Sequence, residues 1–177
     1  MLKQTSQLTV IISIILLCGC NMSVPGRNGT PSQDSAELNK IVNLSIPGKL
    51  TAWEIFDTPE DKGIIVPGRT DYVTLVAQID NVKADWFAGL QDSPRAFSAL
   101  PGSARPWLSP YFKAVLVSLE SGRKTIPNCK RYATTVVQSG RAVKGFVCEH
   151  ENKLLVYVSL MGDTAGDPDP ELPPTYT

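Results

Sequence analysis

Few residue types in this chain could do chemistry, and they are scattered. His150 is the only histidine, so a multi-histidine metal centre cannot form within one chain. It lies two residues from Cys148, a spacing that puts thiol and imidazole on one face of a strand. A nucleophilic Cys–His pair also needs a reduced thiol and a third, orienting group. Cys129 offers Cys148 a disulfide partner instead, which leaves His150 as a surface residue at a strand end. Asp163, Asp167, Asp169 and Glu171 have the oxygen-rich composition of a calcium loop. Counted from Asp163, however, the sixth position holds Pro168 where such a loop needs glycine, and Pro170 stiffens the backbone further. A solvated acidic tail is the better reading. There is no Gly-x-Ser-x-Gly, phosphate loop, dinucleotide fingerprint or His-Glu-x-x-His motif. No cofactor is expected.

Binding chemistry is better represented. Trp107 sits in Pro106-Trp107-Leu108-Ser109-Pro110, an irregular proline-rich segment followed at once by Tyr111. Aromatics on irregular loops are over-represented in binding hot spots, so Trp107 and Tyr111 are the candidate partner-binding residues. Packing beneath its own loop is the plainer alternative for Trp107. Trp53 and Trp86 fit the core. Arg123, Lys124, Lys130, Arg131, Arg141 and Lys144 gather positive charge around the C-terminal strands, suited to an acidic partner, to anionic headgroups or simply to a solvated sheet face. Lys plus Arg equals Asp plus Glu at 17 each, which argues against nucleic acid as a partner.

The N-terminus is the most specific part. Lys3 supplies a positive start, and Leu8 to Leu17 is an almost unbroken apolar run. Ten helical residues span roughly 15 Å, half a bilayer core, so the run suits a secretory signal rather than a membrane span. It ends in Leu17-Cys18-Gly19-Cys20, which resembles the lipobox of bacterial lipoprotein signal peptides: aliphatic at −3, small at −1, then cysteine. Cys18 fails the same test, with Leu17 at its −1 position. The resemblance implies cleavage after Gly19, acylation of Cys20 and a mature chain held to a lipid bilayer. Asn21 stands where an aspartate would retain such a protein in the inner membrane, which implies the periplasmic face of the outer membrane of a Gram-negative cell. Several acyl chains anchor stably where one is marginal.

The chain as a whole has 42% hydrophobic residues, enough for one domain with a core. Its expected organisation is a signal over 1–19, a lipidated flexible tether over 20–38, a single globular domain over 39–162 and an acidic, proline-rich tail over 163–177. A flexible tether of 18 residues would reach roughly 23 Å. Within the domain, Pro47-Gly48 reads as a turn between two extended segments, Ile64 to Val66 as a short strand and Pro67-Gly68 as another turn. The stripe Tyr72, Leu75, Val76, Ile79, Val82, Trp86, Leu90 predicts a helix, with Asp71 as N-cap. Tyr111 to Leu119 predicts a strand from its β-branched and aromatic content. Tyr132 to Gln138, Arg141 to Glu149 and Leu154 to Met161 read as an antiparallel meander.

The fold class expected is therefore α+β: a small antiparallel sheet, a C-terminal three-stranded meander and one or two helices. Cys129 and Cys148 are an even pair in an exported body, where disulfides persist. A turn at Gln138-Ser139 sets the two directly opposite, whereas a turn at Ser139-Gly140 leaves them diagonal. The expected function is a membrane-tethered protein-binding module rather than an enzyme. It would serve either as an accessory subunit of an envelope or secretion assembly, or as an immunity protein against a periplasm-delivered toxin. An envelope hydrolase with a scattered carboxylate site is the alternative.

Overall fold

Lys49–Thr58 (β1), Tyr72–Asp80 (β2), Cys129–Thr135 (β3), Ala142–His150 (β4) and Lys153–Met161 (β5) form one antiparallel sheet in the order β1-β2-β5-β4-β3. The structure, a computed structural model, describes residues 26–27, 29–58, 72–93, 96–122 and 128–161. Helices α1 (Ser35–Ile41), α2 (Ala84–Ala88) and α3 (Pro110–Glu120) complete it. The α+β class and the C-terminal meander are as the sequence predicts. The signal, Cys20, the Ile64–Val66 strand and the acidic tail lie outside the described residues.

Strand alternation splits the apolar residues between two cores. Trp53, Ile55, Leu75, Ala77, Val147, Val156 and Val158 face one side, where α1 contributes Leu38 and α2 packs Trp86 and Phe87. Phe56, Val76, Phe146, Leu155 and Tyr157 face the other, under Phe112, Val115, Leu116 and Leu119 of α3. A strand buried on both faces loses its polar alternation. That corrects the helix expected over 72–90. Its first half is the central strand β2, whose residues 74 to 79 are all buried, and an apolar residue at almost every position mimics a helical stripe. Only the short α2 near the end of that stretch is helical.

The strand expected over 111–119 is also corrected, because it forms α3. The Ser109 side chain accepts from the Phe112 N–H, and Pro110 occupies the first turn, a start signal that outweighs β-branched content. The tether expected over 20–38 is shortened. Asp34 caps α1 by accepting from the N–H groups of Ala36 and Glu37 at 2.9 and 3.0 Å, Leu38 is buried in the core, and Gly26 to Ser32 lies along β1. Ser32 and Trp53 exchange backbone hydrogen bonds of 2.9 and 2.8 Å, and the Ile55 N–H donates to Gly26 O.

Both sheet edges are covered, which removes templates for edge-to-edge association. Arg27 and Ser32 bridge Ile55 and Trp53 of β1. Along β3, Val42 bridges Val136, Asp92 bridges Lys130, and the Arg131 N–H donates to Gln91 O. Between β4 and β5, Glu151 and Asn152 both have positive φ, at 50° and 60°, the two-residue turn geometry whose twist suits a hairpin. Gly145 lets β4 and β5 close together, since a Cβ there would overlap the Tyr157 backbone carbonyl. Gly145→Ala is expected to destabilise by roughly 1–3 kcal/mol, the range for overpacking, measured as a lowered urea midpoint.

Candidate functional site

Trp107 reaches inward as well as outward. It is half-buried, and its indole N–H donates to Glu54 Oε2 at 2.7 Å. Glu54 points from β1 towards the α3 side and is fully buried. Its carboxylate also accepts from Arg105 Nε at 3.1 Å, from Arg105 Nη2 and from the Gly29 N–H. The Arg105 guanidinium donates to Gly102 O at 3.2 Å and lies 4.8 Å from the centre of the Phe56 ring. A carboxylate held by four donors, two of them cationic, is engaged as a clamp: it ties β1, the N-terminal segment and the 101–107 loop together.

Sequence reasoning missed Glu54 and Arg105. The usable signal was one acidic residue inside the apolar run Ala52-Trp53-Glu54-Ile55-Phe56, because a buried carboxylate must find a partner.

Tyr111, in the first turn of α3, meets His150 at the end of β4. Their rings stack with centroids 3.6 Å apart at 9°, and both remain partly exposed. Cys148, two residues before His150, is disulfide-bonded to Cys129, with Cα atoms 4.0 Å apart. The cysteines are direct cross-strand partners, the register of a turn at Gln138-Ser139. The connection itself is wider, since the Val136 N–H donates to Arg141 O and the loop runs between them. Trp107 and Tyr111 thus have different partners, the Glu54 carboxylate for the first and the His150 ring for the second.

The basic residues around the meander serve several local contacts. Lys130 Nζ donates to Ala88 O and Leu90 O, each at 3.0 Å, and sits 5.2 Å from the Phe87 ring centre. Arg131 Nε donates to Ser93 Oγ at 3.1 Å, and Arg141 Nη2 donates to Leu160 O. Arg123 and Lys124 lie outside the described residues. Among the described residues no group of three acidic, His or Cys side chains could hold a metal ion, and no helix is long and apolar enough to cross a membrane.

An open cavity of about 820 Å³ lies between α1 and the 43–50 segment, on the face away from α3. Leu38, Leu44, Ile79 and Val137 supply apolar lining, Asn39 and Asn43 supply amides, and Lys49 is its only charged residue. Ser45 in this wall has a positive φ of 47°, and its hydroxyl donates to Asn43 Oδ1 at 2.7 Å. Cavities of this size with a few polar groups suit a small ligand or an inserted side chain.

Beneath that wall, the Tyr132 hydroxyl donates to Leu44 O. Burial pushes this phenol up to about 12 and also raises that of Tyr157, whose oxygen accepts from the Leu100 N–H at 3.0 Å. An ordinary phenol titrates near 10, so unfolded Tyr132 ionises first. The stability held by its neutral folded form is present below about pH 10 and is lost as pH rises towards 12. A tyrosinate absorbance titration of the folded chain is expected to show late-titrating phenols that move to the ordinary range in urea, and Tyr132→Phe removes one of them. Coincident folded and unfolded titrations would contradict this.

Against protein-family models, curated proteins and solved structures alike, the chain matches none.

Proposed function

We propose that this chain is an envelope lipoprotein, acylated on Cys20 and facing the periplasm from the outer membrane, whose folded body is a protein-binding module. The observation that carries the reading is Leu17-Cys18-Gly19-Cys20 at the end of a short apolar run, followed closely by a disulfide-stapled domain. The disulfide suits an exported compartment. The Glu54 carboxylate, taken up by four donors, does not serve as the general acid or base of a hydrolase, which must have reach to a substrate proton. Anchoring holds such a binder at high effective concentration where its partner arrives. The role is that of an accessory subunit of an envelope assembly or an immunity protein against a periplasm-delivered toxin.

Two measurements test the reading. The mass of the mature protein should correspond to a chain starting at an acylated Cys20, and Cys20→Ser should leave an unacylated, soluble product. An uncleaved or unacylated chain would refute the anchor. The oxidised domain, immobilised and offered envelope and secreted fractions of its host, should retain a specific protein. A secreted enzyme whose activity is blocked identifies an immunity protein, and components of an envelope complex identify an accessory subunit. Retention of neither would refute the protein-binding role.

A further inference from the structure

We infer that the side of the domain built from residues 26–31 and 101–107 lies against the bilayer and fits anionic phospholipid headgroups, an inference that rests on the acylation of Cys20 proposed above. The link from the anchor to the folded body is short. Gly26, whose carbonyl accepts from the Ile55 N–H, comes only six residues after Cys20. Six residues span at most about 21 Å fully extended and about 13 Å as a flexible coil. A domain of about 135 residues has a radius of gyration near 14 Å, hence a diameter near 36 Å. For the opposite side to face the lipid, the linker would have to run about 55 Å around the body, which it cannot. A linker of that length keeps Gly26 within about 21 Å of the lipid and so turns the half of the body that carries it towards the headgroups.

The chemistry of that side agrees with its position. The two segments meet at the Glu54 clamp, where Gly29, Arg105 and Trp107 all donate to one carboxylate. Neither segment, Gly-Arg-Asn-Gly-Thr-Pro nor Pro-Gly-Ser-Ala-Arg-Pro-Trp, contains an acidic residue. Arg27 is exposed, and Lys113 adjoins the patch by donating to Pro106 O at 3.3 Å. Glu54 is buried and engaged by Arg105, and the Glu120 carboxylate that borders the patch accepts from the Ala104 N–H at 3.1 Å, so Arg27 and Lys113 outnumber the one bordering acid that contacts these segments. Each basic residue close to an anionic leaflet raises occupancy about fivefold. Trp107 is half-exposed with its N–H satisfied by Glu54, and an amphipathic indole suits the headgroup level. Charge complementarity and continuity with the anchor therefore point to the same side.

The test uses the mature lipoprotein reconstituted in vesicles of phosphatidylethanolamine and phosphatidylglycerol, with hydrogen exchange read on peptides covering 26–31 and 101–107. Their exchange is expected to be at least about fivefold slower than in the soluble Cys20→Ser chain. Protection should fall when twelve Gly/Ser residues are inserted after Asn21, which lengthens the link to up to about 63 Å, past the distance needed to turn the body over, while keeping the anchor. It should also fall for Arg27→Glu with Lys113→Glu, changes outside the Glu54 clamp. Acylated protein with unprotected 26–31 and 101–107 segments overturns the inference. Equal protection in phosphatidylcholine vesicles overturns the anionic-headgroup assignment. An unacylated Cys20, seen by mass before reconstitution, instead refutes the anchor itself.

Discussion

Glu54→Leu is expected to lower the unfolding free energy by roughly 3–5 kcal/mol, the cost of breaking a buried ion pair by removing one partner. The substitution leaves the Arg105 guanidinium in its buried place over Phe56 without the carboxylate that neutralises it. It also takes the acceptor from Trp107 Nε1 and from the Gly29 N–H. Against a total stability of about 5–15 kcal/mol for a domain, that is enough to put folding at risk. Glu54→Leu with Arg105→Leu should recover most of the loss, because a matched apolar pair costs no uncompensated charge. Urea midpoints of parent, single and double variants check both parts. A single variant within about 1 kcal/mol of the parent, the range of an exposed pair, would show that the clamp contributes little.

Joining Cys129 to Cys148 is expected to stabilise the domain by roughly 3 kcal/mol, the chain-entropy value for a loop of this size. The two are 19 residues apart, and the bond crosses a β3–β4 pair already in register. Replacing both by alanine should therefore lower the urea midpoint while leaving the register of the meander intact. Reductant should shift the parent to the midpoint of the double variant and leave that variant unmoved. A parent indifferent to reductant would show that the hairpin is ordered in the unfolded ensemble or that the bond is offset by strain. The Tyr111–His150 stack lies two residues beyond Cys148, so loss of the staple should be felt first at that end of α3.

The lipid-facing inference gives Trp107 a role different from that expected of a loop aromatic. Its environment couples the N-terminal segment to the 101–107 loop through Glu54, so in the proposed arrangement the contacts that stabilise the body would also set which side stands next to the anchor. The 43–50 cavity lies on the sheet face away from α3, apart from that side.

Local patterns determined the meander. Its three apolar runs, the polar connections between them and the spacing of Cys129 and Cys148 are short-range features, and hairpin register follows from the turn and the alternation of side chains. The lipobox resemblance is equally local, since it depends on residue types in a row. The tertiary structure decided everything that required knowing what lay on the far side of an element. Residues 72–80 became a strand because both of their faces are covered, by α3 on one side and by α1 and α2 on the other. Helical and doubly buried strand patterns look alike when nearly every residue is apolar. Tyr111 to Leu119 became a helix because the Ser109-Pro110 start outweighed side chains that favour either state. Residues 26–38 read as a tether, being rich in glycine, proline and polar residues, yet they supply the cover for the β1 edge and the capped start of α1. The pairing of Glu54 with Arg105 spans 51 positions. No local pattern could join them: burial demands that a charge find its counter-charge, and only the packed fold selects which one is within reach.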